Sequence, residues 1–297
     1  MFMKKLSQLT CIFLIILFAT SCRKEDKLGA VGNIPGLGGD TWVKGPIDSF
    51  IYTNLTLPFN IDVKYRWNQF TVDQIDKNVV PPKEEVIIPV LQSALINVWI
   101  KPYLAETDSL FIKMYAPKYF VLAGSAAYNA DGSALLGVAG SGRQITLFQL
   151  NYFRPNSVAG HVPEDTIVQR ETYLTIHHEF GHIFDQTKQR PDEFNNVTQS
   201  AYSTDWINIS DADAREKGCI TAYASSQAAE DWAEMISQML VNGDARFAAI
   251  VNSISNADAR NAIMQKRDII INYMKDSWNI DFISLQTRVR TAAEAEF

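Results

Sequence analysis

Apolar and polar positions along the chain fall into a few distinct patterns. The first is a nearly continuous apolar run over residues 9–19, behind the basic pair Lys4 and Lys5. It is too short for a stable bilayer span and has the proportions of a secretion signal, and no later run is expected to enter a membrane. Farther on, Ile61, Val63, Tyr65 and Trp67 alternate with polar neighbours, the period of a half-buried strand. Behind Pro81-Pro82 the period changes. Val86, Val90, Leu91, Ala94, Leu95 and Val98 recur at helical spacing, which predicts an amphipathic helix over about 83–103, bent at Pro89. Residues 119–123 read as a buried strand, and 134–139 and 143–150 as two more, joined by a hairpin turn at Gly140-Ser141-Gly142. From about Asp165 onward helical pattern dominates, with Phe247, Ile250, Ile254, Ile269, Ile270, Tyr273 and Met274 as core positions. The expected fold class is therefore α+β. A small mixed β-sheet with a packed helix occupies 47–150, and a helical half occupies 151–297.

Composition narrows the class. The 297 residues are 47% hydrophobic and 20% charged, enough for a core and unlike a disordered chain. Net charge is −6 without any Lys/Arg run, so no nucleic-acid partner is expected. The apolar leader ends in Ala19-Thr20-Ser21-Cys22, small residues and then a cysteine, which resembles a bacterial lipobox. Cleavage there would remove residues 1–21, leave a mature charge of 25 − 33 = −8, and place lipid on Cys22. The next four residues, Arg23-Lys24-Glu25-Asp26, read equally as a solvated charge cluster or, by likeness, as a surface-export signal of Bacteroidetes lipoproteins. Residues 27–46 hold six of the fifteen glycines, so 22–46 is expected to be a flexible tether reaching about 25–30 Å. Of the three cysteines only Cys219 is left for the folded part, as a small buried hydrophobe and not half of a disulfide.

Three of the four histidines lie within 177–182, and His178-Glu179-Phe180-Gly181-His182 matches H-E-x-x-H. Flanking apolar residues place the motif on a helix, where histidines four apart stand on one face and reach one ion. Zn²⁺ is the usual occupant, with Glu179 placed to take a proton from metal-bound water. His177 lies off that face, as a structural or site-lining residue, and His161 sits in a loop expected to be exposed. A metzincin would continue with Gly and His where this chain has Asp185 and Lys188, and no later histidine exists, so the third ligand must be a carboxylate. Glu193 and Glu216 lie in polar, solvated stretches. Glu230 and Glu234 stand one turn apart on an apolar helical segment and need a cation or donor if buried. Glu230 is assigned as the ligand and Glu234 as the carboxylate that sets a histidine tautomer, although the two roles are interchangeable on spacing alone. Asp185 either orients His182 or faces solvent.

H-E-x-x-H followed by a distant helix with E-x-x-x-D/E resembles the gluzincin pattern of zinc metallopeptidases. Local similarity is strongest to the protease domain of anthrax lethal factor, which shares H-E-F-G-H and a later tyrosine, six residues, then Glu with a second Glu four on. Here these are Tyr223, Glu230 and Glu234. With its lipobox and tether, the chain looks like the Bacteroidetes substrate import-associated zinc metallohydrolase lipoproteins. The resemblance implies one Zn²⁺ per chain and a Tyr223 hydroxyl that donates to the oxyanion, though a packing role fits Tyr223 equally on sequence. It also implies a peptide or glycopeptide substrate lying along an edge strand at 143–150. Outer-membrane localisation with possible surface exposure, and a TonB-dependent import complex as partner, follow from the same likeness. The 47 residues between His182 and Glu230 exceed the spacer of thermolysin-like enzymes, so substrate-pocket detail does not transfer.

The expected activity is thus that of a lipid-anchored zinc metallopeptidase. A non-catalytic binding lipoprotein of an import complex, or a zinc amidase acting on cell-wall or glycan-linked peptides, are the alternatives. One expectation is testable at once: Cys22→Ser abolishes labelling by radioactive palmitate and releases the chain from the membrane fraction.

Overall fold

Pro46 opens the first helical run, at a position where its missing N–H is not needed. This run, α1, covers 46–59 as Pro46–Ile51, a wider π-helical stretch Tyr52–Thr56, and Leu57–Phe59, and Asn60 ends it with φ 58°. The sequence pattern did not predict it. The computed structural model describes residues 42–66, 79–128, 134–135, 137–140 and 144–297; the leader, Cys22, most of the tether, Trp67 and the turn residues Ser141 and Gly142 lie outside these. β1 (Asp62–Lys64) follows, with Ile61, Val63 and Tyr65 buried in the alternation expected.

α2 (Glu84–Glu106) is the predicted amphipathic helix, ending three residues later than expected and wound unevenly. Its middle, Leu91–Ile100, is π-helical. Pro89 and Pro102 bracket that stretch, and each lacks the N–H of an ordinary ladder, so the bonds between them slip to the next carbonyl. By length and composition α2 would also suit a membrane span, so the leader does not stand alone in that respect. Its apolar face is buried in protein: Leu91, Ala94, Leu95, Val98 and Trp99 have no exposure.

After α3 (Ser109–Tyr115) come β2 (Tyr119–Leu122), β3 (Ala127–Tyr128), β4 (Ala134–Leu135), β5 (Gly137–Gly140) and β6 (Gln144–Leu147). The main sheet runs β1-β2-β6-β5, with the first three parallel and β5 antiparallel to β6. The single strand expected over 134–139 is divided, because Ala134–Leu135 pairs with β3 in a separate ribbon. The strand expected over 143–150 stops at Leu147, ahead of a 3₁₀ turn at Leu150–Tyr152. Moreover β6 lies inside the sheet, whose edges are β1 and β5, which corrects the expectation that 143–150 forms the edge strand.

The helical half consists of α4 (Asp165–Thr187), α5 (Asp192–Val197), α6 (Asp211–Arg215), α7 (Ala228–Asn252), α8 (Ala257–Trp278) and α9 (Phe282–Glu296). α4 is the central element because it has two buried faces. One carries Phe180 and Phe184 into an aromatic cluster, with Phe180 5.3 Å from Trp99 and 5.0 Å from Tyr103, and Phe184 5.0 Å from Trp278. The other packs on α7, where Gly181 meets Ala233 so closely that an added Cβ would lie 3.1 Å from the Ala233 Cα. α7 is broken at Gly243 (φ 69°, ψ 174°), a conformation that L side chains rarely adopt. Asp231 of α7 and Lys266 of α8 form a fully buried ion pair, which Tyr202 (2.8 Å to Asp231) and the Gly218 carbonyl (2.9 Å from Lys266) extend. Either charge alone would be stranded in the core, so the pair fixes α8 against α7. Cys219 is buried as expected.

Two predictions follow from this packing. Gly181→Val forces α7 away from α4 at an overpacking cost of about 1–3 kcal/mol, so both melting temperature and zinc affinity should fall; an unchanged zinc affinity would mean that the crossing does not set the site. His177 is fully buried against Tyr103, with its Nδ1 3.4 Å from the phenol oxygen. Burial pushes its pKa down from 6.5 to about 3, against a weaker opposing pull from the Val98 carbonyl. The unfolded chain therefore takes up a proton below pH 6.5 that the folded chain refuses, and stability is lost as pH falls from there toward 3. In chelator-treated protein, His177→Gln should flatten the fall of unfolding free energy between pH 6 and 4 by up to about 1.4 kcal/mol per pH unit. Parallel curves for the two proteins would contradict this.

Candidate metal centre

The second buried face of α4 holds His178 and His182, one helical turn apart. α7 brings Glu230 across from them, and three atoms form a nearly regular triangle. His178 Nε2 to His182 Nε2, His178 Nε2 to Glu230 Oε2, and His182 Nε2 to Glu230 Oε2 are each 3.1 Å. Tetrahedral ligands at zinc distances of about 2.0–2.1 Å stand roughly 3.3 Å apart, so this donor set matches zinc in type and spacing. Among the described residues it is the one group of three His, Cys, Asp or Glu side chains that converges in this way.

The surrounding hydrogen bonds decide which atoms are free to bind. His178 donates from Nδ1 to Glu234 Oε1 at 2.8 Å, which leaves the lone pair on Nε2 and directs it into the triangle. Glu234 is itself held by Thr221, whose hydroxyl donates to Oε2 at 2.8 Å. Glu230 turns Oε2 to the histidines while Gln227 donates to its Oε1 at 3.2 Å. The ionisation of the cluster reflects its need for positive charge. Burial works against protonation of His178, but the Glu230 and Glu234 carboxylates outweigh it and raise the pKa to about 10. For Glu230 burial acts upward, and His178 and His182, which donate to it once protonated, pull it well below the usual carboxylate range. Glu234 is lowered in the same way, with the His178 hydrogen bond prevailing over burial. Glu179, also buried, moves the opposite way: burial raises its pKa more than the two histidines lower it.

Other residues singled out by sequence take varied places. Tyr223 is 39% exposed, with its ring stacked on His178 at 5.7 Å between centroids. Burial of its hydroxyl and the nearby Glu230 carboxylate push the phenol pKa well up, so the hydroxyl keeps its proton. Asp185 neither orients His182 nor faces solvent, because Arg190 captures it: the backbone N–H donates to Oδ1 at 2.9 Å and the guanidinium pairs with Oδ2. The chain turns back after α4 and brings that arginine over its last turn. His161 is half-buried instead of exposed, with Nδ1 2.8 Å from the Arg154 carbonyl. Glu193 is exposed, while Glu216 accepts the backbone N–H groups of Ser255 and Asn256.

Thr221, Gln227 and Trp206 were not foreseen. Trp206 packs edge-on against Tyr223 at 5.0 Å and so borders the metal face. No spacing rule points to any of the three; only Gln227, immediately before a helix and three residues ahead of Glu230, carries a local signal.

Residues 40–283 match the model of a family described as "Putative zinc-binding metallo-peptidase". The fold is similar to a crystal structure of a protein from Bacteroides caccae described in the same words. That likeness has a TM-score of 0.65 and 25% identity, and covers 83% of this chain and 91% of the other. No curated protein matches the chain. The family match spans every residue of the His178, His182 and Glu230 triangle together with the sheet and helices that support it, and the chain belongs to this family of zinc-binding metallo-peptidases.

Proposed function

We propose that the chain is a zinc-dependent metallopeptidase of gluzincin type that carries one Zn²⁺ on His178, His182 and Glu230 and uses Glu179 as general base. The observation that carries this reading is the triangle of three donor atoms at 3.1 Å, backed by Glu234 and flanked by a buried acid of raised pKa. A zinc ion bound there would lower the pKa of the attacking water and polarise the scissile carbonyl. Glu179, more basic than an ordinary carboxylate, takes the proton of that water and returns it to the leaving amine. Tyr223, still protonated, donates its hydroxyl to the oxygen on which negative charge develops. Glu234 and Thr221 hold the His178 ring in its working tautomer throughout.

β5 supports a peptide substrate. It is the edge of the main sheet on the side away from β1 and packs with β6 against α4, so an extended chain can add beside it through main-chain hydrogen bonds. A glycan-linked or cell-wall peptide is the second reading, favoured by the half-buried Trp206 ring at the metal face, a surface of the kind that stacks on sugars. Lipid anchoring through Cys22 at the outer membrane, and service to a TonB-dependent import complex, belong to the same proposal and rest on the lipobox and its family resemblance.

The test pairs metal content with turnover. Wild type should bind about one zinc per chain, and Glu230→Ala should lose it or hold it far more weakly. Glu179→Gln should keep zinc and fold while hydrolysis drops by about 10²–10⁴-fold on whichever peptide, glycopeptide or peptidoglycan fragment profiling identifies. A wild-type chain that stays metal-free when offered zinc would leave the non-catalytic binding lipoprotein ahead. Undiminished turnover in Glu179→Gln would remove the general-base role.

A further inference from the structure

A cavity of about 220 Å³ lies away from the triangle, where the start of α4 meets α7 beyond its break and α9. Three arginines line it: Arg170 from α4, Arg246 from α7 and Arg290 from α9. Arg170 precedes His178 by eight residues, about 12 Å of helix rise. Glu171 is the one acid in the lining, beside Thr166, Ile167 and Phe297.

The arginines are unequally engaged. Arg170 donates through Nη2 to Asn242 Oδ1 at 2.5 Å, but its Nε is buried and has no hydrogen-bond partner among the described residues. Arg290 donates through Nε to Glu294 at 2.7 Å and through Nη1 to the Val241 carbonyl at 3.2 Å. Arg246 is exposed and makes no hydrogen bond or ion pair among the described residues. Three guanidinium groups thus converge here, and among the described residues Arg170 through Nε and Arg246 through its whole guanidinium have donors that no protein acceptor takes up. The strain is visible on Arg170, whose pKa is lowered by burial first and then by Arg246 and Arg290, with Glu171 opposing. The N-terminal turn of α4 adds a positive end of its dipole, although the N–H groups of Asp165, Thr166 and Ile167 are already bonded to the carbonyls of Val162, Pro163 and Glu164. Donors for a ligand must therefore come from the arginines.

We infer that this cavity is an oxyanion site that takes a phosphate group, held between Arg170, Arg246 and Arg290. Planar guanidinium groups bind phosphate oxygens in pairs, and one tetrahedral anion can accept from three different helices at once. The volume suits a single phosphate with at most a small substituent, borne either by free phosphate or by a phospholipid headgroup. Such a ligand would accept from the unused Arg170 and Arg246 donors and tie α4, α7 and α9 together, without touching the zinc ligands.

The experiment is a titration of the zinc-loaded full chain by calorimetry and by melting temperature, at constant ionic strength with chloride as counter-titrant. Inorganic phosphate is one ligand; dihexanoyl phosphatidylglycerol below its micelle concentration is the other, with dihexanoyl phosphatidylcholine as its control. Saturable binding with a higher melting temperature is expected, and binding at least about tenfold weaker in Arg246→Gln. Arg246 is exposed and has no partner among the described residues, so this variant should fold and hold zinc like wild type. Phosphate binding without phosphatidylglycerol binding assigns the group to a soluble ligand. Phosphatidylglycerol binding that phosphate displaces assigns it to a lipid. No saturable binding in wild type, or equal binding in Arg246→Gln, overturns the inference.

Discussion

Two imidazole nitrogens and a carboxylate oxygen face one another at 3.1 Å in a partly buried place, and much of the molecule exists to hold them there. Because a neutral His178 donates its Nδ1–H to Glu234, its Nε2 faces the triangle with a lone pair and not a donor. Electron-rich atoms at such distances repel unless positive charge lies between them or one nitrogen takes a proton. The raised pKa of His178 and the lowered one of Glu230 are two expressions of that demand. A divalent ion answers it more fully than a proton, since it can contact all three atoms at once.

Holding the triangle requires two helices at a fixed distance and rotation. The distance comes from Gly181, whose missing side chain lets α4 touch Ala233 of α7. The rotation comes from what flanks Glu230. Asp231, the next residue and about 100° around the helix, is locked into the buried pair with Lys266, and Trp232 packs on Phe194 and Tyr273 at 5.0 and 4.8 Å. With those positions committed to the core, Glu230 and Glu234 are left to face α4. The Phe180 and Phe184 side of α4 acts likewise, wedging the motif helix against Trp99 and Tyr103 of α2.

The sheet contributes an edge instead of ligands. Its antiparallel β5 lies outermost beside three parallel strands, and α4 packs beneath it. Under the proposed function, a strand edge and a polar centre on one helix would suit a polymer substrate, which needs main-chain alignment before any bond can be attacked.

Much of this was legible in the order of residues. H-E-x-x-H places two histidines on one face because the α-helix repeats every 3.6 residues, and the acids 230 and 234 share a face for the same reason. Absence of any histidine after His182 restricted the remaining ligand to a carboxylate. Local periodicity likewise predicted β1, β2, α2 and the long helix that begins at Asp165. It could not decide partners. Nothing in sequence spacing says that Thr221 holds Glu234, that Trp206 closes on Tyr223, or that Arg190 claims Asp185, because each contact depends on how a loop returns to a helix. The place of β5 at the edge and the gathering of Arg170, Arg246 and Arg290 depend on chain topology in the same way. Periodicity determines which side of an element a residue occupies, and only tertiary packing determines what stands opposite.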